Sequence, residues 1–558
     1  MSLSIDSDSP VTQYRLTLPA AGLVAIFAAT VMLTNLGPTR TLTHHEVLFA
    51  QPAKEMLATG NWVVPKFLGV PSTYKPPGTH WVLAATMALT GSQAEWVLRF
   101  PSALATIITA LLIAAMTARW FGTLTGVVAG LMQVTLYYVL QLGRLAECDI
   151  FLITCMTGAF FAFAAGNVES PRGRSNARWL PWLFYTCVGL AYLFKGFVGP
   201  AFTLSACGLY LVTRRETRVL RFLLNPIGIT ILLGCTLGWL AMAYQQYPEI
   251  VSDQIENHIG RFQGEMEGGK NPLFYLYTIP LILLPWTPFC LIGLVWAARS
   301  ERFPHALWQW AVCALIPGLV VLSLSEFKSK HYPAPLLPPL TMIGAVAMIH
   351  FFRWRQLASV RWHVVAVVAC VVGNLAGITA VLYFQPKDYG LIALLVATIG
   401  VAQLLMIYFE YRRRLHSGLV TMFVATWIVC LGALTLVSRD HDSYRDTAIL
   451  AEHANRIIPS DQPAYIVGLA ENQITFYLDS RVQLIDSATE LVDHQDFQGS
   501  WYVVGTESLQ PELALQGRVD VVDRCASIRR CDAPGDRLTL YRVERNLTAN
   551  HGAPRITH

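Results

Sequence analysis

Between Thr43 and Trp81 the chain gathers more reactive side chains than a plain connector needs. His44, His45 and Glu46 stand side by side, an amphipathic run follows, and Tyr74-Lys75-Pro76-Pro77 closes the stretch. Further clusters recur along the chain: Gly143-Arg144-Leu145-Ala146-Glu147-Cys148-Asp149, Phe194-Lys195-Gly196, Glu256-Asn257-His258-Ile259-Gly260-Arg261-Phe262 and Glu326-Phe327-Lys328-Ser329-Lys330-His331-Tyr332-Pro333. Imidazole and carboxylate groups can take a proton from a hydroxyl. Lysine and arginine can stabilise negative charge that grows on a leaving phosphate oxygen. Such a mixture fits transfer of a sugar from a phosphate. A lipid-linked phosphate suits it best, since its tail can lie in a bilayer while the head group reaches the interface. Neither a P-loop nor a dinucleotide-binding glycine loop is present.

These clusters sit at the edges of long apolar segments. The chain has 558 residues, of which 54% are hydrophobic and 14% charged, and its mean hydropathy is +0.44. This is the composition of an integral membrane protein. A net charge of +5 with no basic tail gives no sign of nucleic acid binding. The first apolar segment, from about Leu16 to Gly37, has no cleavable leader before it and is expected to be a retained span. Segments long enough to cross about 30 Å of hydrocarbon then recur, among them 96–118, 150–166, 179–193, 226–244, 307–325 and 364–384, giving about thirteen spans in all.

Arginine is concentrated in alternate connectors: Arg119; Arg172, Arg174 and Arg178; Arg214, Arg215, Arg218 and Arg221; Arg299 and Arg302; Arg353, Arg355 and Arg361; Arg412 to Arg414. The positive-inside rule makes these cytoplasmic, so the N-terminus is inside and the final segment outside. Lysines fall on the outer side in this topology, and all four remaining clusters face the same way. A transmembrane domain over 1–437, with a first external loop over 38–95, is thus followed by an external domain over 438–558. Short alternating apolar runs at 464–468, 482–485, 501–505 and 519–522, with a helix at 471–478, predict a small α/β fold there. Cys525 and Cys531 are close enough in that tail for a disulfide in an oxidising compartment.

The sequence resembles the membrane glycosyltransferases of the GT-C class, in particular the bacterial branch of the lipid A aminoarabinose transferase and the relatives of protein O-mannosyltransferases. The resemblance is carried by Glu46, Lys54 to Trp62, Lys75-Pro76-Pro77, Arg99 to Ala103, Lys195-Gly196, His258 to Phe262 and Lys330-His331-Tyr332. It implies a mainly α, polytopic fold and an inverting transferase that uses a polyprenyl-phosphate sugar donor at the outer face of the cytoplasmic (inner) membrane. The acceptor is a lipid such as lipid A, a glycan or a protein. Lys75, Lys195, Arg261, Tyr332 and Lys330 would hold the donor phosphate. Where the family has an Asp-Glu pair in its first loop, this chain has His45-Glu46, so His45 or Glu46 would be the base, with Asp149 at a second acidic position. No cofactor is required by this reading; a divalent metal, if one is used, would fall to His44, His45 and Glu46. The rival from another class is a carrier or flippase that binds lipid phosphate without catalysis. Transport folds favour internal repeats and broken helices, whereas the charges here concentrate in outer loops.

Overall fold

The computed structural model describes residues 14–37, 41–73, 75–263, 270–355, 389–439, 441–459, 461–467, 473–479, 482–492, 500–525 and 537–545. Contacts divide the chain into two units. Unit 1 comprises residues 1–36, 61–65 and 71–436, and unit 2 comprises 37–60, 66–70 and 437–558.

Unit 1 is a bundle of apolar helices, as the hydropathy pattern predicts. In chain order the helices are α1 (Leu18–Leu33), α2 (His44–Thr59, which belongs to unit 2), α3 (Gly78–Thr90), α4 (Glu95–Phe121), α5 (Thr123–Thr135), α6 (Tyr137–Leu142), α7 (Asp149–Asn167), α8 (Leu180–Lys195) and α9 (Val198–Arg214). They continue through α10 (Thr217–Leu223), α11 (Pro226–Leu233), α12 (Trp239–Gln246), α13 (Ile250–Gln263), α14 (Phe274–Ile282), α15 (Thr287–Arg299), α16 (His305–Leu324) and α17 (Pro338–Arg355). Helices at Tyr389–Tyr411 and Leu415–Arg439 complete the apolar part. Among the described residues, five segments are long and apolar enough to span a membrane: Glu95–Phe121, Asp149–Asn167, Pro226–Gln246, His305–Leu324 and Leu415–Thr435. α14 and α15 make a sixth if their 114° bend lies within one span. The expected span at 364–384 lies outside the described residues. The chain is a multi-pass membrane protein.

Aromatic rings lock the bundle centre. Trp310 stacks on Phe163 with centroids 4.5 Å apart, while Phe160 and Tyr210 meet it edge-on, each at 5.6 Å. Such pairs add about 0.5–1.5 kcal/mol each beyond area burial. α1 is closed by Arg144, whose guanidinium donates to the carbonyls of Val31, Met32 and Asn35 at 3.1, 2.7 and 2.9 Å. It thereby satisfies acceptors that a helix end leaves open.

Unit 2 contains a five-stranded sheet in the order β4-β3-β5-β7-β6. Its strands are β3 (Ala464–Val467), β4 (Val482–Ile485), β5 (Ser500–Thr506), β6 (Gly517–Arg524) and β7 (Leu538–Arg545); β1 (Lys66–Phe67) and β2 (Val70–Pro71) form a separate small ribbon. β3 runs parallel to β4 and β5, and β7 is antiparallel to β5 and β6. The four strands expected from apolar alternation are present, and the expected helix is the short Gln473–Tyr477. Cys525 is a buried free thiol packed with Leu538 and Leu540, and Cys531 lies outside the described residues. α2 joins this unit through three contacts: the Leu42 N–H donates to the Tyr477 hydroxyl at 2.7 Å, Lys54 Nζ donates to the Phe476 carbonyl at 3.1 Å, and the Lys54 ammonium lies 5.4 Å from the Phe476 ring centroid.

Candidate active site

In unit 1 the site grows from two helix ends that suit opposite charges. Asp149 is the first residue of α7 and Lys195 the last of α8. The exposed amides of a helix N-terminus favour a carboxylate, and the carbonyls of a C-terminus favour a cation. The two side chains are nearly buried and form an ion pair. Phe151 and Phe194, stacked with centroids 4.8 Å apart, hold the helices together beside it. Gly196 ends α8 at φ 71° and ψ −148°, a region essentially reserved for glycine. The chain can therefore turn at once into α9.

Lys75 reaches the same place through α3. Gly78 begins that helix against the end of α8, where an added Cβ would stand 2.7 Å from the Leu193 carbonyl oxygen. Only a residue without a side chain allows this approach. The approach sets Lys75-Pro76-Pro77 beside Lys195. The preceding segment is pinned by two indoles: Trp81 Nε1–H donates to the Trp62 carbonyl at 2.6 Å and Trp239 Nε1–H to the Val63 carbonyl at 3.0 Å. From α13, the Gln254 side chain donates to the Thr73 carbonyl. Lys75 is buried and interacts electrostatically with Asp149.

The loop before α17 closes the site. Lys328 is buried and donates to the carbonyls of Lys270, at 3.0 Å, and Ser325, while Lys270 Nζ returns a bond of 2.8 Å to the Lys328 carbonyl. This clasp presents Tyr332, whose ring centroid lies 5.1 Å from the Lys195 ammonium. His331 packs edge-on against Tyr332 at 5.0 Å and brings Nε2 to 3.8 Å from the second Asp149 oxygen. Lys75, Lys195, Tyr332, Asn257 and Ser325 line one cavity of about 250 Å³, whose other walls are apolar, among them Leu152, Phe202, Leu322 and Phe327. Cationic heads at one end of a greasy slot suit a phosphate that carries a hydrocarbon tail. Cys148 adjoins Asp149, but burial and that carboxylate push its thiol up to about 12. It is therefore no thiolate nucleophile.

Of the residues the sequence singles out, the structure thus gathers Lys75, Asp149, Lys195 and Tyr332. Lys330 is exposed and is not among the residues lining this cavity; its neighbour Lys328 points inward and serves the clasp. The side chain of Arg261 lies outside the described residues, as does Tyr74. His331 and Asn257 are additions. Both stood inside the quoted motifs, but neither type nor spacing distinguished them from loop filler.

His44, His45 and Glu46 open α2 in unit 2. Glu46 is fully buried in a capping box: its carboxylate accepts from the Thr43 N–H at 2.8 Å and its own N–H donates to Thr43 Oγ1 at 3.2 Å. The spacing Thr-x-x-Glu carries that signal. His44 is half-buried and His45 exposed. Among the described residues no group of three or more His, Cys, Asp or Glu side chains converges as metal ligands. His44, His45 and Glu46 do not form such a group. Consecutive residues at a helix start point in different directions, and the Glu46 carboxylate is turned back to the cap.

Residues 74–241 match the family model described as dolichyl-phosphate-mannose-protein mannosyltransferase. With the bundle and its phosphate-suited cavity, this defines the class: a membrane glycosyltransferase with the GT-C fold. Within that class the chain is related to the aminoarabinose transferases. It is 27% identical over 450 residues to the undecaprenyl phosphate-alpha-4-amino-4-deoxy-L-arabinose arabinosyl transferase of Edwardsiella ictaluri, a match covering 76% of this chain and 79% of that relative. Its fold is that of ArnT from Cupriavidus metallidurans, solved bound to undecaprenyl phosphate, with a TM-score of 0.73 at 20% identity over 96% of this chain and 99% of that one. The oligosaccharyltransferase of Archaeoglobus fulgidus in its apo form is a more distant likeness, with a TM-score of 0.52 at 12% identity over 88% of this chain and 69% of that one.

Proposed function

We propose that the chain moves a sugar, with inversion, from a polyprenyl-phosphate donor to an acceptor hydroxyl at the outer face of the cytoplasmic membrane. The single observation that carries this reading is the shared cavity of Lys75, Lys195 and Tyr332, apolar along its walls and cationic at its head. The names of the relatives make the aminopentose of their donor the first sugar to test, and the family resemblance makes lipid A the first acceptor. The arginine-rich connectors would face the cytoplasm and unit 2 the outer side.

In the reaction the acceptor oxygen forms a bond to the anomeric carbon as the bond from that carbon to the phosphate oxygen breaks. The electron pair leaves with the phosphate, so the lipid monophosphate gains charge in the transition state. Lys75 and Lys195 stabilise that charge more in the transition state than in the ground state, which is what accelerates a step. Asp149 holds Lys195 in position, and His331 joins the same carboxylate. The base for the acceptor proton is proposed to be His45 or Glu46, the pair that stands where the resembled family has its first-loop carboxylates.

Transfer can be followed by mass spectrometry of lipid A incubated with the full-length protein and the undecaprenyl-phosphate aminopentose. Addition of one aminopentose per acceptor is expected, and whichever of H45Q and E46Q removes the base should bind donor normally while turnover falls about 10²–10⁴-fold. Donor bound by the wild type but never consumed, with any lipid, glycan or protein acceptor, would favour the carrier reading instead.

A further inference from the structure

A second cavity, of about 480 Å³, lies at the other end of α8. That helix has 16 residues, so the cavity lies about 24 Å from Lys195. It is lined by Arg178, Arg218, Arg221, Asn167, Asn176 and Trp182, with Ile227 at its apolar side and no Asp or Glu among its lining residues.

Four arginines at this end already have structural work. Arg119 donates to the Gly173 carbonyl at 2.7 Å, Arg174 pairs with Glu216 and Glu169 at 2.6 and 3.1 Å, and Arg214 pairs with Glu216 at 3.4 Å. Arg218 forms part of the wall itself, donating to the carbonyls of Gly166 and Ser175 and to the Asn176 amide at 2.7, 2.8 and 2.9 Å. Arg178 and Arg221 differ: both are exposed on the cavity, and neither has a hydrogen bond or ion pair among the described residues. The first turns of α8 and α11 open into the same space, adding the partial positive charge of two helix N-termini. Asn167 is fully buried, and its amide oxygen has no hydrogen-bond partner among the described residues. It offers an acceptor to a hydroxyl group. Trp179, Trp182, Leu224 and Ile227 are exposed around the rim, and such aromatic and apolar side chains mark the bilayer boundary.

We propose that this cavity binds the headgroup of an anionic, hydroxyl-bearing phospholipid from the leaflet opposite the donor site. Arg178 and Arg221 take the phosphate, Asn167 takes a headgroup hydroxyl, and the acyl chains lie against the rim. A basic recess between spans on the arginine-rich side is well suited to this. The occupied recess would brace the N-terminal ends of α8 and α11.

The test is native mass spectrometry of the full-length protein exchanged into phosphatidylglycerol or phosphatidylcholine. The wild type should retain phosphatidylglycerol about tenfold better, and R178Q/R221Q should lose that preference. R172Q, an exposed arginine at the same end that does not line the cavity, should keep it. Because the two substituted arginines hold no other element in place, the double variant should elute and melt as the wild type does. Equal retention of both lipids by the wild type overturns the proposal, as does an unchanged preference in the double variant or an equal loss in R172Q. Displacement of the lipid by excess inorganic phosphate would assign the site to a free anion and overturn the lipid reading.

Discussion

Lys195 has two tasks, and its surroundings explain how one side chain can do both. Without its counter-ion, a buried ammonium beside the apolar walls of the cavity would cost several kcal/mol; Asp149 supplies that counter-ion and fixes the ammonium at the cavity head. The pair is therefore more than a stabilising contact. D149N should lower stability by about 3–5 kcal/mol through the uncompensated charge on Lys195. The midpoint of denaturant unfolding checks it, and an unchanged midpoint would show that Lys195 is solvated in solution. At this scale the sequence was informative where charge and motif coincide, as for Lys75 and Lys195. It was silent about the partners of Lys328 and His331, because a lysine in a clasp and a histidine on a carboxylate look alike until partners are known, whereas the Thr43-x-x-Glu46 spacing did carry the cap.

The helices deliver these residues through their ends, and glycine sets the ends. Gly196 occupies a backbone region closed to side-chain-bearing residues. G196A should displace Lys195 and cut donor affinity together with turnover, checked by titration with undecaprenyl phosphate; normal affinity would mean that the turn relaxes without moving the lysine. At the start of α2, burial and, to a smaller degree, His45 hold the His44 imidazole below its usual range. The unfolded chain then binds the proton more readily than the folded one, so stability rises with pH through this window and is lost as pH falls below about 6.5. Acidification from neutrality should open the first turn of α2, seen as faster amide exchange after correction for intrinsic rates. H44Q should remove the pH dependence, and its persistence there would assign the effect elsewhere. Apolar runs located α4, α7 and α16 closely, but the α14–α15 bend and the break between α5 and α6, expected as one span over 123–142, were hidden, since hydropathy reports burial and not direction.

For the whole molecule, the composition break near Ser438 marks where unit 2 takes up the chain again, and alternation of apolar residues marks β3 to β6. β7 was missed because Leu538, Thr539, Leu540 and Tyr541 are buried in succession, on both faces of a strand inside the sheet, so no apolar alternation is visible. That residues 37–60 fold with the sheet was equally invisible, since Leu42 and Lys54 find their partners at Tyr477 and Phe476, more than 400 positions away. The central claim is nevertheless compact: separate connectors supply cations to one lipid phosphate. The most direct measurement is the affinity of the purified full-length protein for undecaprenyl phosphate, compared among wild type, K75A and K330A. A lost charge-assisted contact of about 1.5–3 kcal/mol predicts that K75A binds about 10- to 100-fold more weakly, while K330A, an exposed lysine that does not line the cavity, stays near the wild type. Equal affinity in wild type and K75A, or a loss confined to K330A, would contradict the account.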